Sequence, residues 1–256
     1  MPRAAGLYYE EHGSGEPLIL SSGMGGSANY WRPNIAALAE RFHVIAYDHR
    51  GTGRSDPTVT PRIESIGDDM AALMDALDIS RVSILGHAIG GMGGLALALE
   101  APDRVDRLVI VNGWGRLDPY TARCFATRLA LLRALGPAAY VHAQPIFLFP
   151  PQWISEHHAQ LEAEAPHHVA AFPAAMIEQR ILATCAFDVL DRLGDLAVPV
   201  LLLSSADDTL VPPACSARLA QAIPQAQHVE MQWGGHACNV TDPAGFNAHI
   251  LAFLGD

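Results

Sequence analysis

RVSILGHAIGGMGG, Arg81 to Gly94, opens as a strand and closes as a helix, with almost nothing between the two. Val82, Ser83, Ile84 and Leu85 form a β-branched, apolar run, and Met92 to Leu99 is a helical run of small and apolar residues. The corner between them, Gly86-His87-Ala88-Ile89-Gly90, has the spacing of the G-x-S-x-G nucleophile elbow. In that turn the middle residue stands exposed on strained backbone, and glycines are needed where a Cβ would clash. Here the middle residue is Ala88, and a methyl group cannot attack anything.

Upstream of the corner, LYYEEHG and PLILSS over residues 7–20 predict a β-hairpin turning at Gly13-Ser14-Gly15. A Gly-rich loop, Ser21-Ser22-Gly23-Met24-Gly25-Gly26, follows the second run directly and leaves backbone N–H groups bare above a sheet. Trp31, Ile35, Leu38 and Phe42 recur at helical spacing over Tyr30 to Phe42. A strand over His43 to Tyr47 then runs into Asp48-His49-Arg50-Gly51-Thr52-Gly53-Arg54-Ser55-Asp56, and Ile66, Met70, Leu73 and Leu77 mark the next helix. Asp48 and Arg50 read as a pair bracing their loop.

Downstream, Pro102 stops the helix after the corner, and Val105 to Asn112 reads as a strand. Residues 115–194 break the rhythm with Ala, Leu, His and scattered prolines, which predicts a helical cap inserted into the fold. The alternation resumes with a strand over Val198 to Ser205, the stretch Asp207-Asp208-Thr209-Leu210-Val211-Pro212, a helix to about Ala222, a strand over Gln227 to Met231, the loop Gly234-Gly235-His236, and a helix over Pro243 to Leu254. Strands alternating with helices at this spacing predict an α/β fold: a mostly parallel central sheet with helices on both faces. The expected division is a core from 1–114 and 195–256 with the cap at 115–194.

Bulk properties narrow the function. Of 256 residues 50% are apolar and 17% charged, enough for a sizeable core. The formal charge of −11 argues against nucleic acid and anionic membrane as partners. The N-terminus lacks an apolar leader segment and no run approaches a membrane span, so a cytoplasmic protein is expected. Cys124, Cys185, Cys215 and Cys238 are scattered without metal-ligand spacing, so reduced thiols, no metal and no cofactor are expected. An apolar cap would suit a homodimer.

With SSGMGG, DHRGTGRSD, GHAIG, SADDTLVP and GGHA in this order, the chain resembles the α/β-hydrolase family over essentially its full length. The resemblance puts Ala88 in the vacant nucleophile position, Asp208 as the acid and His236 as the base. Asp207 competes for the acid's role; Asp208 is favoured by its spacing to Pro212. The backbone N–H groups of Met24 and Ile89 would form the oxyanion hole, with Ser22, Gly23 and Trp114 lining the substrate site. In a known acyl-transfer case such a donor is worth ~2.7–4 kcal/mol. More narrowly, VNGWGRLDPYTARCF, AQPIFLFP, PPACS and GGHACNVTDP resemble the RutD proteins of the pyrimidine-utilisation pathway, in which an alanine at the elbow is common. That resemblance implies hydrolysis of a small product of uracil breakdown, carbamate or aminoacrylate.

The loss of the serine is chemically tolerable for such substrates. A covalent intermediate helps when a poor leaving group must be expelled from a stable ester or amide. An enamine that tautomerises to an imine is attacked by water directly, and a carbamate falls apart once its nitrogen is protonated. Both need proton transfer above all, and a carboxylate-oriented imidazole supplies it. The competing readings are a non-catalytic binding protein on the same fold and a cofactor-free dioxygenase using the same His–Asp pair. His87 reads as a packed histidine that points away from the pocket and lies under the sheet edge. Cys238 is the alternative nucleophile, though cysteine is more often a small buried hydrophobe. His142, His157, His158, His167 and His168 lack a metal pattern, and the last four read as solvated surface.

Overall fold

The computed structural model describes residues 2–58 and 62–255. Its strands are β1 (Arg3–Ala4), β2 (Leu7–His12), β3 (Glu16–Ser21), β4 (Phe42–Tyr47), β5 (Val82–His87), β6 (Val105–Val111), β7 (Val200–Ser205) and β8 (Gln227–Met231). They form one sheet in the order β1-β2-β4-β3-β5-β6-β7-β8, parallel from β4 onwards. The helices are α1 (Arg32–Ala39), α2 (Glu64–Ala76), α3 (Ile89–Glu100), α4 (Pro119–Leu148), α5 (Pro151–Glu156), α6 (His158–Ala170), α7 (Ala174–Ala186), α8 (Pro213–Ala222), α9 (Cys238–Thr241) and α10 (Pro243–Leu254).

Alternation along the inner strands sorts the core into two layers. Ile19, Ile45, Ile84, Ile110 and Leu202 face one side with α2, α3 and α8, while Leu18, Val44, Leu85, Val109 and Leu201 face the other with α1 and α10. Because β5 lies between β3 and β6, well inside the sheet, both of its faces are covered and all six of its residues are buried.

The hairpin expected over residues 7–20 does not form. β2 and β3 run in opposite directions, but β4 lies between them, antiparallel to β2 and parallel to β3. The burial demands explain this. Val44, Ile45 and Ala46 are sealed from water and need a neighbour on each side, whereas β2 carries Glu10, Glu11 and His12 and suits an outer position. Phe42 belongs to β4 and not to the preceding helix, which ends at Ala39.

Between β6 and β7 the chain forms α4 to α7 above the C-terminal ends of the strands. Gly136 has φ 81°, so α4 is two helical pieces joined at a sharp break followed by Pro137. His158, His167 and His168 are exposed, but His157 is half-buried: it stacks on Trp153 at 4.0 Å and shares a hydrogen bond with the Trp153 carbonyl. Among the described residues no helix is long and apolar enough to cross a membrane.

Candidate active site

The corner after β5 brings the elbow to the centre of the molecule. Ala88 has φ 47° and ψ −117°, a conformation that costs a non-glycine residue roughly 1–3 kcal/mol and persists only where the surroundings enforce it. The enforcement is visible: the Ala88 N–H donates to the Val111 carbonyl at 2.8 Å, and its own carbonyl receives the Met92 N–H at 3.0 Å. A Cβ on Gly90 would run into the backbone carbonyls of Ser21 and Ser22, so the Gly-rich loop lies directly on the elbow. Met24 of the same loop packs against the core layer that contains Ala88, and among the described residues neither the Met24 nor the Ile89 N–H donates to another backbone group outside the regular elements. Ser22 is buried in the same loop, and Gly23 lies against the His87 imidazole.

Asp208 and His236 meet above this corner. The Asp208 Oδ2 lies 2.7 Å from His236 Nδ1, and both side chains are buried. The other carboxylate oxygen, Oδ1, accepts the Leu210 and Val211 N–H groups at 2.8 and 2.9 Å, which fixes the rotamer. A carboxylate can only accept here, so His236 carries its proton on Nδ1 and presents Nε2 as a lone pair. Asp207 is differently employed. Its Oδ1 accepts from the Ser205 hydroxyl and from the Gly235 N–H, both at 2.8 Å, and so braces the turn leading into His236. That turn needs Gly235 at φ 66°, where a Cβ would press on the Leu148 carbonyl.

Two side chains clamp the backbone of His236. Its carbonyl accepts one hydrogen bond from His87 Nε2 and one from Asn112 Nδ2, each 2.8 Å long. His87 therefore sits between Gly23 and the His236 ring, whose centroid is 4.6 Å away, and not under a sheet edge as the sequence suggests. The reason is that β5 has no edge: the strand ends in the middle of the sheet, beneath the site. Because a carbonyl only accepts, His87 is protonated on Nε2 and serves as a neutral prop. Asn112 was not legible as a site residue; its one local signal is the turn Asn112-Gly113 closing a buried strand. Further support comes from a buried amide cluster, in which Asn34 donates to Asn247 at 3.0 Å and Asn239 donates to Asn34 at 3.1 Å, tying α9 to α1 and α10.

The loop residues Asp48 and Arg50 do not pair with each other. Asp48 binds Arg54 and accepts the Ala28 N–H at 2.8 Å, while Arg50 reaches Asp69 at 2.9 Å. Each braces a loop, with a partner that a local reading does not single out. Arg180, from α7, closes over the same region: it donates to the carbonyls of Met24 and Arg50 at 2.8 and 2.9 Å. Burial lowers its pKa to about 10.

Cys238 is fully buried in the core layer that holds Leu85, Met231 and Phe246, the layer opposite that of Ala88. Burial, reinforced by the negative charge of Asp208, pushes its thiol far above the usual range, so no thiolate is available. Cys124, Cys185 and Cys215 are likewise shifted upward by burial. No group of three or more His, Cys, Asp or Glu side chains among the described residues is placed to hold a metal ion. Trp114 is buried beside Phe125, with ring centroids 6.1 Å apart. Two clefts, one lined by Tyr47, His49, Asp69 and Arg180 and the other by Leu117, Asp118, Cys215 and Arg218, touch none of Ala88, Asp208 and His236. Ala88 and His236 are themselves almost sealed from solvent, 5% and 4% exposed.

Two buried neutral histidines make stability pH-dependent. Burial holds the pKa of His87 and of His49 well below 6.5, helped by the neighbouring His236 and the Arg180 cation respectively. The unfolded chain binds protons at these two groups below pH ~6.5 while the native state does not, so stability falls as pH drops. The expected slope is about 1.4 kcal/mol per pH unit for each histidine. Urea denaturation between pH 5 and pH 7.5 checks it, and His49→Gln should halve the slope.

The chain is similar to known proteins over nearly its whole length. Residues 16–243 match the model of the α/β hydrolase fold family. A protein of Caulobacter sp. (strain K31), provisionally named carbamate hydrolase RutD, is 52% identical over 256 residues, covering 97% of this chain and 96% of its own. One of the same name from Azorhizobium caulinodans is 50% identical over 262 residues, covering 100% and 99%. Among solved structures, the enol-lactonase from Burkholderia xenovorans LB400 superposes with a TM-score of 0.89 at 28% identity, covering 99% of this chain and 98% of that one.

Proposed function

The chain is a hydrolase of the α/β-hydrolase family and belongs, within it, to the RutD proteins, and on that footing we propose that it hydrolyses a carbon–nitrogen bond in a small anionic substrate, carbamate or aminoacrylate, during pyrimidine breakdown. The observation that carries this reading is the 2.7 Å contact between Asp208 and His236 beside an elbow that offers only a methyl group. With no side-chain nucleophile at the elbow, His236 acts on water.

For carbamate, His236 Nε2 takes a proton from water, the hydroxide adds to the carboxyl carbon, and the proton is returned to nitrogen as the C–N bond breaks. The products are ammonia and bicarbonate. For aminoacrylate, a solvent proton adds at carbon and gives the iminium ion; water adds to the iminium carbon as His236 Nε2 takes its proton, His236 returns that proton to nitrogen, and ammonia leaves as the hydroxyl proton goes back to solvent and the carbonyl forms. In both sequences Asp208 stabilises the imidazolium while His236 holds the proton. The N–H groups of Met24 and Ile89 would face the oxygen that gains charge. The relatives' name favours carbamate.

Ala88 supplies the sharpest test. A fluorophosphonate that labels serine hydrolases should leave the wild-type protein at its unmodified mass while the substrate is turned over. Ala88→Ser should not raise turnover of the native substrate, because no step uses a side chain at that position. Stoichiometric labelling of the wild-type protein would reveal a nucleophile and refute this mechanism.

A further inference from the structure

Two arginines are buried in the α4–α7 region, Arg128 at 4% exposure and Arg180 at 5%, and they are treated in opposite ways. Arg180 has two backbone carbonyls to receive its N–H groups. Among the described residues Arg128 has no ion pair, and its Nε is sealed from water without an acceptor. It is surrounded by rings, with its guanidinium carbon 4.9 Å from the centroid of Tyr140, 5.5 Å from Phe147 and 5.8 Å from Phe125. Rings favour a cation but do not accept its five N–H groups in the way an oxygen does.

The same cluster contains two more buried donors without acceptors, the Tyr140 hydroxyl and the Trp114 indole N–H. Tyr140 lies under the guanidinium, and Trp114 shares the Phe125 ring with it. The Arg128 Nε, the Tyr140 hydroxyl and the Trp114 N–H thus stand around one group of rings without a hydrogen-bond acceptor among the described residues, apart from the Tyr140 oxygen that faces the guanidinium, and such a set of donors suits a group that only accepts. A carboxylate is such a group, and a guanidinium fork is its best match.

The cluster also adjoins the dyad. Phe147 precedes Leu148, whose carbonyl receives the Ala237 N–H at 2.9 Å, next to His236. Tyr120, on the first turn of α4, donates to the Thr209 carbonyl beside Asp208 at 2.8 Å. The Cys124 thiol, one turn before Arg128, reaches the Thr209 carbonyl at 3.8 Å, next to Asp208.

We infer that Arg128, with the Tyr140 hydroxyl and the Trp114 N–H, is the subsite that holds the carboxylate of a small anionic substrate while Asp208 and His236 work on the far end. The inference deepens the hydrolase reading and rests on it for the identity of the far end. It also bears on the substrate. In carbamate the carboxyl carbon is itself the reacting carbon, whereas aminoacrylate carries its carboxylate apart from the carbon that water attacks. A carboxylate site at one remove from the dyad favours the second.

The test uses propionate and its neutral counterpart propionamide, titrated onto the intact protein by ligand-observed NMR. Wild type should bind propionate at least tenfold more tightly than propionamide, and Arg128→Met should lose that preference. Arg128→Met should also melt at or above the wild-type temperature, since it removes an unpaired buried charge. Should the methionine variant not fold, Arg128→Lys decides: it keeps the charge but not the fork, and propionate should bind several-fold more weakly than to wild type. Unchanged propionate binding in either variant overturns the inference, and so does a wild type that does not distinguish the two ligands. The two readings fail separately. Equal hydrolysis by wild type and His236→Ala would remove the dyad whatever Arg128 binds, and loss of the anion preference would remove this subsite whatever the dyad does.

Discussion

Asp208→Asn should lower turnover by roughly 10²–10⁴-fold, up to the whole contribution of the base it orients, and the corresponding exchange in a Ser-His-Asp triad lies at the upper end of that range. The hydrogen bonds of the folded site say why. The Oδ1 atom already accepts two backbone N–H groups, from Leu210 and Val211, and an asparagine would keep its oxygen there. Its amide nitrogen would then replace Oδ2, 2.7 Å from His236 Nδ1. A donor in that place forces the imidazole proton onto Nε2, and the lone pair that should take a proton from water is gone. The shape of the site is unchanged, so the melting temperature should stay within a few degrees of wild type. Steady-state kinetics and a thermal melt on the same preparation check both halves.

His236→Ala removes the proton carrier itself, and a loss of roughly 10²–10⁴-fold is expected, the usual contribution of a positioned acid–base group. Unlike the asparagine exchange, it should also cost stability. It leaves Asp208 Oδ2 buried without a partner, a penalty of about 1–3 kcal/mol. The His236 backbone should hold its place, because its carbonyl remains clamped by His87 and Asn112. Reduced activity together with a lowered urea midpoint is the combined signature.

Most of what positions the site is local in sequence and was readable there. The elbow, the loop Ser21–Gly26, the acid turn and the histidine loop each follow a strand, and a strand followed by a tight turn leaves its own periodicity and glycines. The last strand and the closing helix occupy the residues expected of them, Gln227–Met231 and Pro243–Leu254. What escaped is non-local. The pairing of β2 with β4 in place of β3 depends on which strand can be buried on both faces, and the turn at Gly13–Gly15 carries no trace of that competition. Asn112, His87 and Arg180 act on backbone atoms far along the chain, and nothing in a residue's neighbours reports such a contact. Arg128 is a cation in a helical run between Thr127 and Leu129; only its packing shows that it lacks a partner.

The central claim is that a buried His–Asp pair, without a nucleophilic side chain at the elbow, is enough for hydrolysis. Ammonia release from carbamate and from aminoacrylate, each generated in situ, measures it directly against the buffer rate. Wild type should accelerate release from at least one of the two anions, and His236→Ala should fall back towards the buffer rate. A His236→Ala protein that releases ammonia as fast as wild type would contradict the account.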